Sequence, residues 1–275
     1  MASLGVASIL IVAKFVAFLM TDSVSLLSSL FDSAFDLGAS LVTAYGVSQA
    51  RRPPDSRHRF GHGKAEPLAA LFQSVFVVGS SLFLGFEAVD RFIDPHPIGN
   101  DRAGYVVMGL AIVLTLGLVF FQNRVIRRTG SMAIRADKLH YVGDLGVNLA
   151  VIIAFLLRQQ FGIEWIDPLF ALGITGALVF SAYRILQTAM AALMDEELPE
   201  KEREKIIGLI LQHPDVRGVH ALRTRTDGER IFIELHLAMD RAMSLEKAHA
   251  SADRVEASLL EALPKADILI HKDPV

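Results

Sequence analysis

The 275-residue chain contains no cysteine. This absence excludes disulfide bonds, thiolate metal ligands and cysteine nucleophiles together, so a metal site would have to use histidine nitrogen and carboxylate oxygen. No Lys or Arg precedes the first apolar stretch, which argues against a cleaved secretory signal. The net charge is only -3, so the charge balance gives no indication of nucleic-acid binding.

Apolar residues, in contrast, are abundant. They account for 52% of the chain and raise the mean hydropathy to +0.41, above what a soluble enzyme needs to fill its core. A membrane-spanning helix needs about 20 mostly apolar residues. Six segments satisfy this requirement, at residues 3–20, 24–47, 67–89, 103–121, 140–157 and 168–193. The sequence therefore predicts an α-helical membrane protein with a six-helix transmembrane domain over residues 1–195.

Basic residues are concentrated in two of the connections between these segments. The two groups are Arg51, Arg52, Arg57, Arg59 and Lys64 in the first, and Arg124, Arg127, Arg128, Arg135 and Lys138 in the second. Cytoplasmic loops of membrane proteins carry an excess of Lys and Arg. We therefore expect both basic connections and both chain termini to lie in the cytoplasm, with the helices in the inner (plasma) membrane.

From Pro199 onward the sequence is charged and shows the alternation of strands, so residues 196–275 are predicted to form a soluble domain. An Asp227-Gly228 pair predicts a turn between two of its strands. The predicted elements are helix, strand, strand, helix and strand, at residues 201–212, 218–224, 231–237, 245–263 and 267–272. This order favours an α+β sandwich with helices on one sheet face, which leaves the other face free for a partner.

Two predicted spans each carry a pair of ionisable residues. Asp32 and Asp36 lie in the second span, and His140 and Asp144 lie in the fifth. Ionisable groups are costly inside a membrane, and an i,i+4 spacing places both members of a pair on one helix face. Two facing helices can therefore bring three carboxylates and one imidazole to a common point. Four nitrogen and oxygen ligands suit tetrahedral zinc.

The same donors restrict the ion and suggest a mechanism. Imidazole favours zinc, iron or nickel over magnesium or calcium, so zinc is the predicted ion, with iron, cadmium and cobalt as alternatives. Three crowded carboxylates repel one another without a metal, so protons should occupy the site and leave when the cation binds. The sequence thus predicts a transporter that exchanges a divalent metal for protons.

Other interpretations of these residues remain. The aspartates could cap or hydrogen-bond neighbouring helices, and His140 could mark only the interfacial start of its span. An intramembrane metal-dependent hydrolase would need an open coordination position and a general base, which four protein ligands do not offer. A membrane-anchored metal sensor would have no need of buried charged pairs.

Two further groups of residues have plausible ligand spacing. Asp55, His58 and His62 lie in the first basic connection, where Gly61 and Gly63 permit a tight backbone; a solvated loop is the alternative. In the soluble domain, alternation points His236 away from the apolar row of its strand. The other members of this histidine-rich set are His220, His249, His271 and Asp273, for which scattered surface residues are the alternative.

Taken together, these motifs resemble the cation diffusion facilitator family, and its bacterial members in particular. The resemblance rests on the paired Asp-x3-Asp and His-x3-Asp motifs and on three further segments, residues 60–66 (FGHGKAE), 193–195 (LMD) and 270–274 (IHKDP). It covers essentially the whole chain. It implies a homodimeric antiporter that exports cytoplasmic zinc in exchange for protons by alternating access, with a ferredoxin-like cytoplasmic domain.

The resemblance also implies two metal sites outside the membrane. It favours a loop site at Asp55, His58 and His62. It further implies a binuclear site in the soluble domain, with Asp273 bridging two ions and with His220, His236, His249 and His271 as the remaining ligands. Zinc would then be both the transported ion and a structural or regulatory ion.

Overall fold

The computed structural model describes residues 2–21, 24–93, 102–161 and 166–275. The chain forms two compact units, Met1–Ala189 and Met190–Val275. The first unit is built from helices, and the second contains a small sheet covered by two helices. The chain therefore combines a helical domain with a C-terminal α+β domain, as the sequence predicts.

Six long helices form the N-terminal part of the chain. They are α1 (Ala2–Thr21), α2 (Val24–Ala50), α3 (Ala65–Ile93), α4 (Arg102–Thr129), α5 (Met132–Phe161) and α6 (Ile166–Leu193). Four of them contain a stretch that is long and apolar enough to cross a bilayer: Ala2–Met20, Ala65–Asp90, Met108–Thr129 and Leu169–Leu193. Within the described residues no such stretch is found in α2 or α5. Four spans are thus supported directly, and six stay a prediction.

Helix α5 begins at Met132, well before the predicted start of the fifth span at residue 140. The Ser131 hydroxyl accepts a hydrogen bond from the backbone N–H of Ile134 at 3.2 Å, and the Glu66 carboxylate accepts one from Met132 at 2.7 Å. Both bonds satisfy donors that a helix N-terminus leaves unpaired. His140 consequently lies about two turns inside the helix rather than at its start, and its placement at the interfacial start of the span stays an interpretation.

Small residues allow the helices of the first unit to approach closely. A Cβ atom placed on Gly46 of α2 would lie 2.4 Å from the Cβ of Ala69 and 3.0 Å from the carbonyl oxygen of Ala65, both in α3. Ala69, Ala70, Ala136 and Ala189 are among the buried residues of this unit. Close contact between small residues is a general source of helix association in membranes, where lipid is as apolar as the side chains.

The second unit contains α7 (Glu200–Ile210), β1 (Val216–Thr226), β2 (Ile231–Met239), α8 (Leu245–Ala262) and β3 (Ala266–Pro274). Strand β2 is central; it pairs antiparallel with β1 and parallel with β3. The predicted order of elements and the turn at Asp227 and Gly228 are confirmed, and Gly228 has a φ of 102°. The described sheet has only three strands, so the ferredoxin-like assignment stays a prediction.

The core of this unit lies between the helices and one face of the sheet. Its fully buried members include Ile206, Ile210, Ile233, Leu235, Leu237, Val255 and Leu259. The alternating residues Glu234 and His236 lie on the opposite face and retain exposure. Phe232 shares their strand face but is only 5% exposed, because the guanidinium of Arg225 lies 4.3 Å from the centre of its ring. One sheet face is therefore polar and accessible.

We predict that Gly46→Ala weakens the packing of α2 against α3. The new methyl group meets a Cβ and a carbonyl oxygen that are fixed to the α3 backbone, so the helices must separate, at a cost of about 1–3 kcal/mol. The thermal midpoint of the purified full chain, followed by fluorescence-detected size exclusion, measures the effect.

Gly38→Ala is the matched control for this substitution. Gly38 lies in the same helix, and a Cβ placed there meets no atom within 4 Å. The control should melt at or above the wild-type temperature. Equal midpoints for Gly46→Ala and the wild type would contradict the described crossing of α2 and α3.

Candidate metal centre

Asp36 of α2 meets His140 and Asp144 of α5 inside the first unit. His140 Nε2 lies 2.6 Å from Asp36 Oδ1 and 3.6 Å from Asp144 Oδ2. His140 is 7% exposed, whereas the two carboxylates are partly accessible. Each of the three residues offers one ligand atom, and these atoms all lie within 4.8 Å of one another. Asp32 lies about one turn before Asp36 in α2, but its side chain lies outside the described residues.

Aromatic side chains fix the orientation of the His140 ring. The Phe76 and Tyr141 rings meet it edge-on, with centroid distances of 5.5 and 5.6 Å. A hydrogen bond between Nε2 and Asp36 requires a proton on one of the two atoms. Coordination of a metal by the same nitrogen requires that this proton leave. The geometry can therefore exchange a proton for a cation at one point.

A cavity of about 670 Å³ extends from these ligands. It is lined by Lys14 of α1, Ser33 of α2, Glu87 of α3 and Asn148 of α5, in addition to the ligands themselves. The Lys14 ammonium donates a hydrogen bond to the Ser33 hydroxyl at 2.6 Å. From the ligands the cavity lining continues along α3 as far as Glu87 and along α5 as far as Asn148, so the cavity extends toward the C-terminal ends of these two helices.

A second acidic residue of α5, Asp137, which is not among the ligands predicted from the sequence, is buried close to them. It is 2% exposed and accepts hydrogen bonds from the Ser40 hydroxyl at 3.1 Å and from the Gln122 amide at 2.8 Å. Its position one helical turn before His140 was the available signal, because the two residues must share a helix face.

The predicted loop ligands also lie together. Asp55 Oδ1 lies 3.3 Å from His58 Nδ1, and Asp55 Oδ2 lies 3.4 Å from His62 Nε2. The backbone N–H groups of His58 and Arg57 donate to Asp55 Oδ1 at 2.7 and 2.8 Å, and these bonds hold the pKa of Asp55 below its ordinary value. Gly61 has a φ of 84°, which allows the loop to return His62 to the carboxylate.

In the second unit, three histidines form a row across the sheet. His220 of β1 pairs with His236 of β2, and His236 pairs with His271 of β3. Asp273 lies among them. Its Oδ2 is 2.9 Å from both His220 Nε2 and His236 Nδ1, and its Oδ1 is 3.1 Å from His271 Nε2.

The electrostatics of this row favour a cation. The hydrogen bond from His236 holds the pKa of Asp273 below its ordinary value, so the carboxylate is ionised at neutral pH. One ligand atom from each of His220, His236 and Asp273 lies within 4.8 Å of the others. The arrangement of imidazoles around one carboxylate fits a borderline-soft divalent ion such as zinc.

His249, the remaining predicted ligand, lies apart from this row. It belongs to α8, where its Nδ1 accepts a hydrogen bond from the Lys272 ammonium at 3.0 Å and its Nε2 lies 3.8 Å from Asp253. The structure thus brings together four of the five predicted ligands of the soluble domain, and the role of His249 stays a prediction.

Comparisons with known proteins agree with this architecture. Residues 1–194 match the family model of the cation efflux transmembrane domain, and residues 198–275 match that of the cation efflux protein cytoplasmic domain. The cation-efflux pump FieF of Pectobacterium carotovorum subsp. carotovorum is 47% identical over 271 residues, which cover 98% of this chain and 90% of the relative. FieF of Yersinia enterocolitica serotype O:8 is 47% identical over 268 residues, which cover 98% of this chain and 89% of that relative.

Among solved structures, a zinc form of CzrB shares 35% identity with this chain. The match covers 29% of this chain and 92% of the CzrB chain, with a TM-score of 0.28. The two family models together span almost every residue, and both named relatives align over nearly their full length. The chain therefore belongs to the cation diffusion facilitator family, whose members are multi-pass membrane transporters of metal cations rather than enzymes.

Proposed function

We propose that this chain exports zinc from the cytoplasm in exchange for protons, with Asp32, Asp36, His140 and Asp144 as the transport site. One observation carries the proposal: His140, Asp36 and Asp144 present their ligand atoms within 4.8 Å of one another at the base of a cavity between helices. A transport site needs buried ligands that remain reachable from one side. The cluster meets both conditions, since its imidazole is buried and its carboxylates are partly accessible.

The choice of zinc follows from the donors. One imidazole and up to three carboxylates match the tetrahedral nitrogen and oxygen coordination of zinc, whereas magnesium and calcium prefer shells of oxygen alone. Iron and cadmium accept similar donors and are the nearest alternatives. Relative fluxes of the three ions decide among them.

Proton coupling follows from the same contacts. The bond between His140 Nε2 and Asp36 Oδ1 holds a proton where the metal would bind, so cation entry expels it. A proton gradient directed inward then restores the protonated site and drives release of the metal on the far side. Alternating access to this one site completes the exchange. The rival hydrolase and sensor hypotheses lack a comparable observation in their favour.

The proposal includes sidedness and assembly. The two basic connections place the α2–α3 and α4–α5 ends of the helices in the cytoplasm, and both termini with them, in the inner membrane. The polar, accessible sheet face of the second unit carries His236 and Glu234 and suits a second copy of the chain. A homodimer joined by the soluble domains is therefore proposed.

Two further zinc sites complete the proposal. One is a loop site held by Asp55, His58 and His62. The other is a binuclear site in the soluble domain, held by His220, His236, His249 and His271, with Asp273 bridging its two ions. We assign both sites to stability or regulation of the dimer.

We predict that Asp36→Asn and Asp144→Asn each reduce zinc uptake to background. Each variant removes one negative ligand while preserving side-chain volume. The measurement is zinc-dependent fluorescence inside proteoliposomes that carry a pH gradient. Asp90→Asn, which changes an exposed carboxylate at the end of α3, is the matched control and should transport normally. Normal uptake by both site variants would refute the proposed transport site.

We predict that Asp273→Asn lowers the zinc content of the full chain by at least one ion. The substitution removes the negative charge of the one side chain that contacts all three imidazoles of the row. The neutral imidazoles that remain do not balance the charge of a divalent cation. Zinc per chain is measured by plasma mass spectrometry after equilibrium dialysis. Asp267→Asn, on an exposed position of the same strand, is the control. Equal zinc contents in all three proteins would contradict this site.

A further inference from the structure

Five buried polar residues form a hydrogen-bonded group beside the transport site, and all of them except Tyr141 lie outside the lining of the cavity. This group, termed the inner cluster, consists of Ser3, Ser40, Gln122, Asp137 and Tyr141. Asp137 accepts from Ser40 at 3.1 Å through one oxygen and from Gln122 at 2.8 Å through the other. The Ser40 and Tyr141 hydroxyls are hydrogen-bonded at 3.0 Å, and the Tyr141 hydroxyl donates to the Ser3 carbonyl oxygen at 3.5 Å.

The position of the inner cluster follows from chain direction. In α5, Asp137 precedes His140 by about one turn, and in α2, Ser40 follows Asp36 by about one turn. Both displacements lead toward the end of the unit where α2 and α4 finish and α3 and α5 begin. The cavity leaves the ligands in the other direction, through Lys14, Glu87 and Asn148. Ser3, Ser40, Gln122 and Asp137 do not line the cavity, so most of the inner cluster lies beyond the ligands, on the side away from the cavity.

The hydrogen bonds of the inner cluster join four helices. Ser3 belongs to α1, Ser40 to α2, Gln122 to α4, and Asp137 and Tyr141 to α5. A carboxylate buried in an apolar bundle is stable only while its oxygens are satisfied. Separating the helices at this end would break the bonds together, because they share Asp137 and Ser40 as common members. The cluster can thus exist in two discrete states, one with all of these hydrogen bonds formed and one with all of them broken.

We propose that the inner cluster is the gate at the cytoplasmic end of the transport path, and that Asp137 is its positioning residue. Both carboxylate oxygens of Asp137 are engaged by Ser40 and Gln122, so it acts on the helices rather than on the ion. The proposal rests on the proposed function, which supplies the cytoplasmic assignment of this end. The described state is then closed to the cytoplasm and open outward.

The absence of native cysteine allows a direct test. Thr43→Cys reports on the closed end, since Thr43 lies about one turn beyond Ser40 in α2 and is 4% exposed. Ser80→Cys reports on the open end, since Ser80 lines the cavity. Each reporter is introduced singly into the full-length protein in lipid nanodiscs, where a hydrophilic maleimide reaches both faces. The rates of labelling are then compared.

Asp137→Leu removes both acceptor oxygens of Asp137 and keeps a side chain of similar volume. Ser40→Ala removes the Ser40 hydroxyl from the hydrogen bonds of the inner cluster. Each should accelerate labelling of Thr43→Cys about tenfold, as expected for loss of a buried hydrogen bond, and should slow labelling of Ser80→Cys. Ser74→Ala is the control, because Ser74 is buried but its hydroxyl bonds only to Ala70 of its own helix. It should leave both rates unchanged.

The opposite response of the two reporters distinguishes a gate from general loosening, which would accelerate both. If Asp137→Leu does not yield a monodisperse protein, Ser40→Ala decides the question. Unchanged rates in a folded variant, or a rise at both reporters, overturn the gate. Zinc flux is measured in parallel: a wild-type protein without flux would refute the proposed function, whereas normal flux with unchanged labelling refutes only the gate.

Discussion

The burial of His140 against Asp36 and Asp144 is the constraint from which the rest of the first unit follows. An imidazole and two carboxylates in a low-dielectric bundle are tolerated only when they face one another or a polar path. The helices α2 and α5 must therefore pack with these faces together.

The membrane part could be predicted from the sequence because its signals are strong and local. Long apolar segments and i,i+4 pairs of ionisable residues can be recognised without knowledge of tertiary contacts. What could not be predicted was the start of α5, which depends on hydrogen bonds that Ser131 and Glu66 accept from backbone N–H groups of its first turn. The burial of Asp137 could not be predicted either. A single acidic residue near a helix start resembles an ordinary cytoplasmic charge until its partners on α2 and α4 are known.

The soluble domain was predictable for a different reason. Its strands alternate clearly and its turn residues are distinctive, so the order of elements was accessible, and the orientation of His236 followed from the period of two. The exact set of metal ligands could not be predicted. Whether His249 joins the sheet histidines depends on the approach of α8 to β3, where Lys272 competes for its ring nitrogen. Sequence spacing contains no information on that approach.

The row of three histidines has a consequence for the order of events in folding. Its third member belongs to β3, which pairs parallel to β2 and therefore reaches it only after the chain has crossed over through α8. The first two histidines can be neighbours as soon as the β1–β2 hairpin forms, but the Asp273 carboxylate that contacts them lies in β3. The four side chains consequently come together only when the crossover is complete, so their arrangement depends on the last pairing of the sheet rather than on the hairpin.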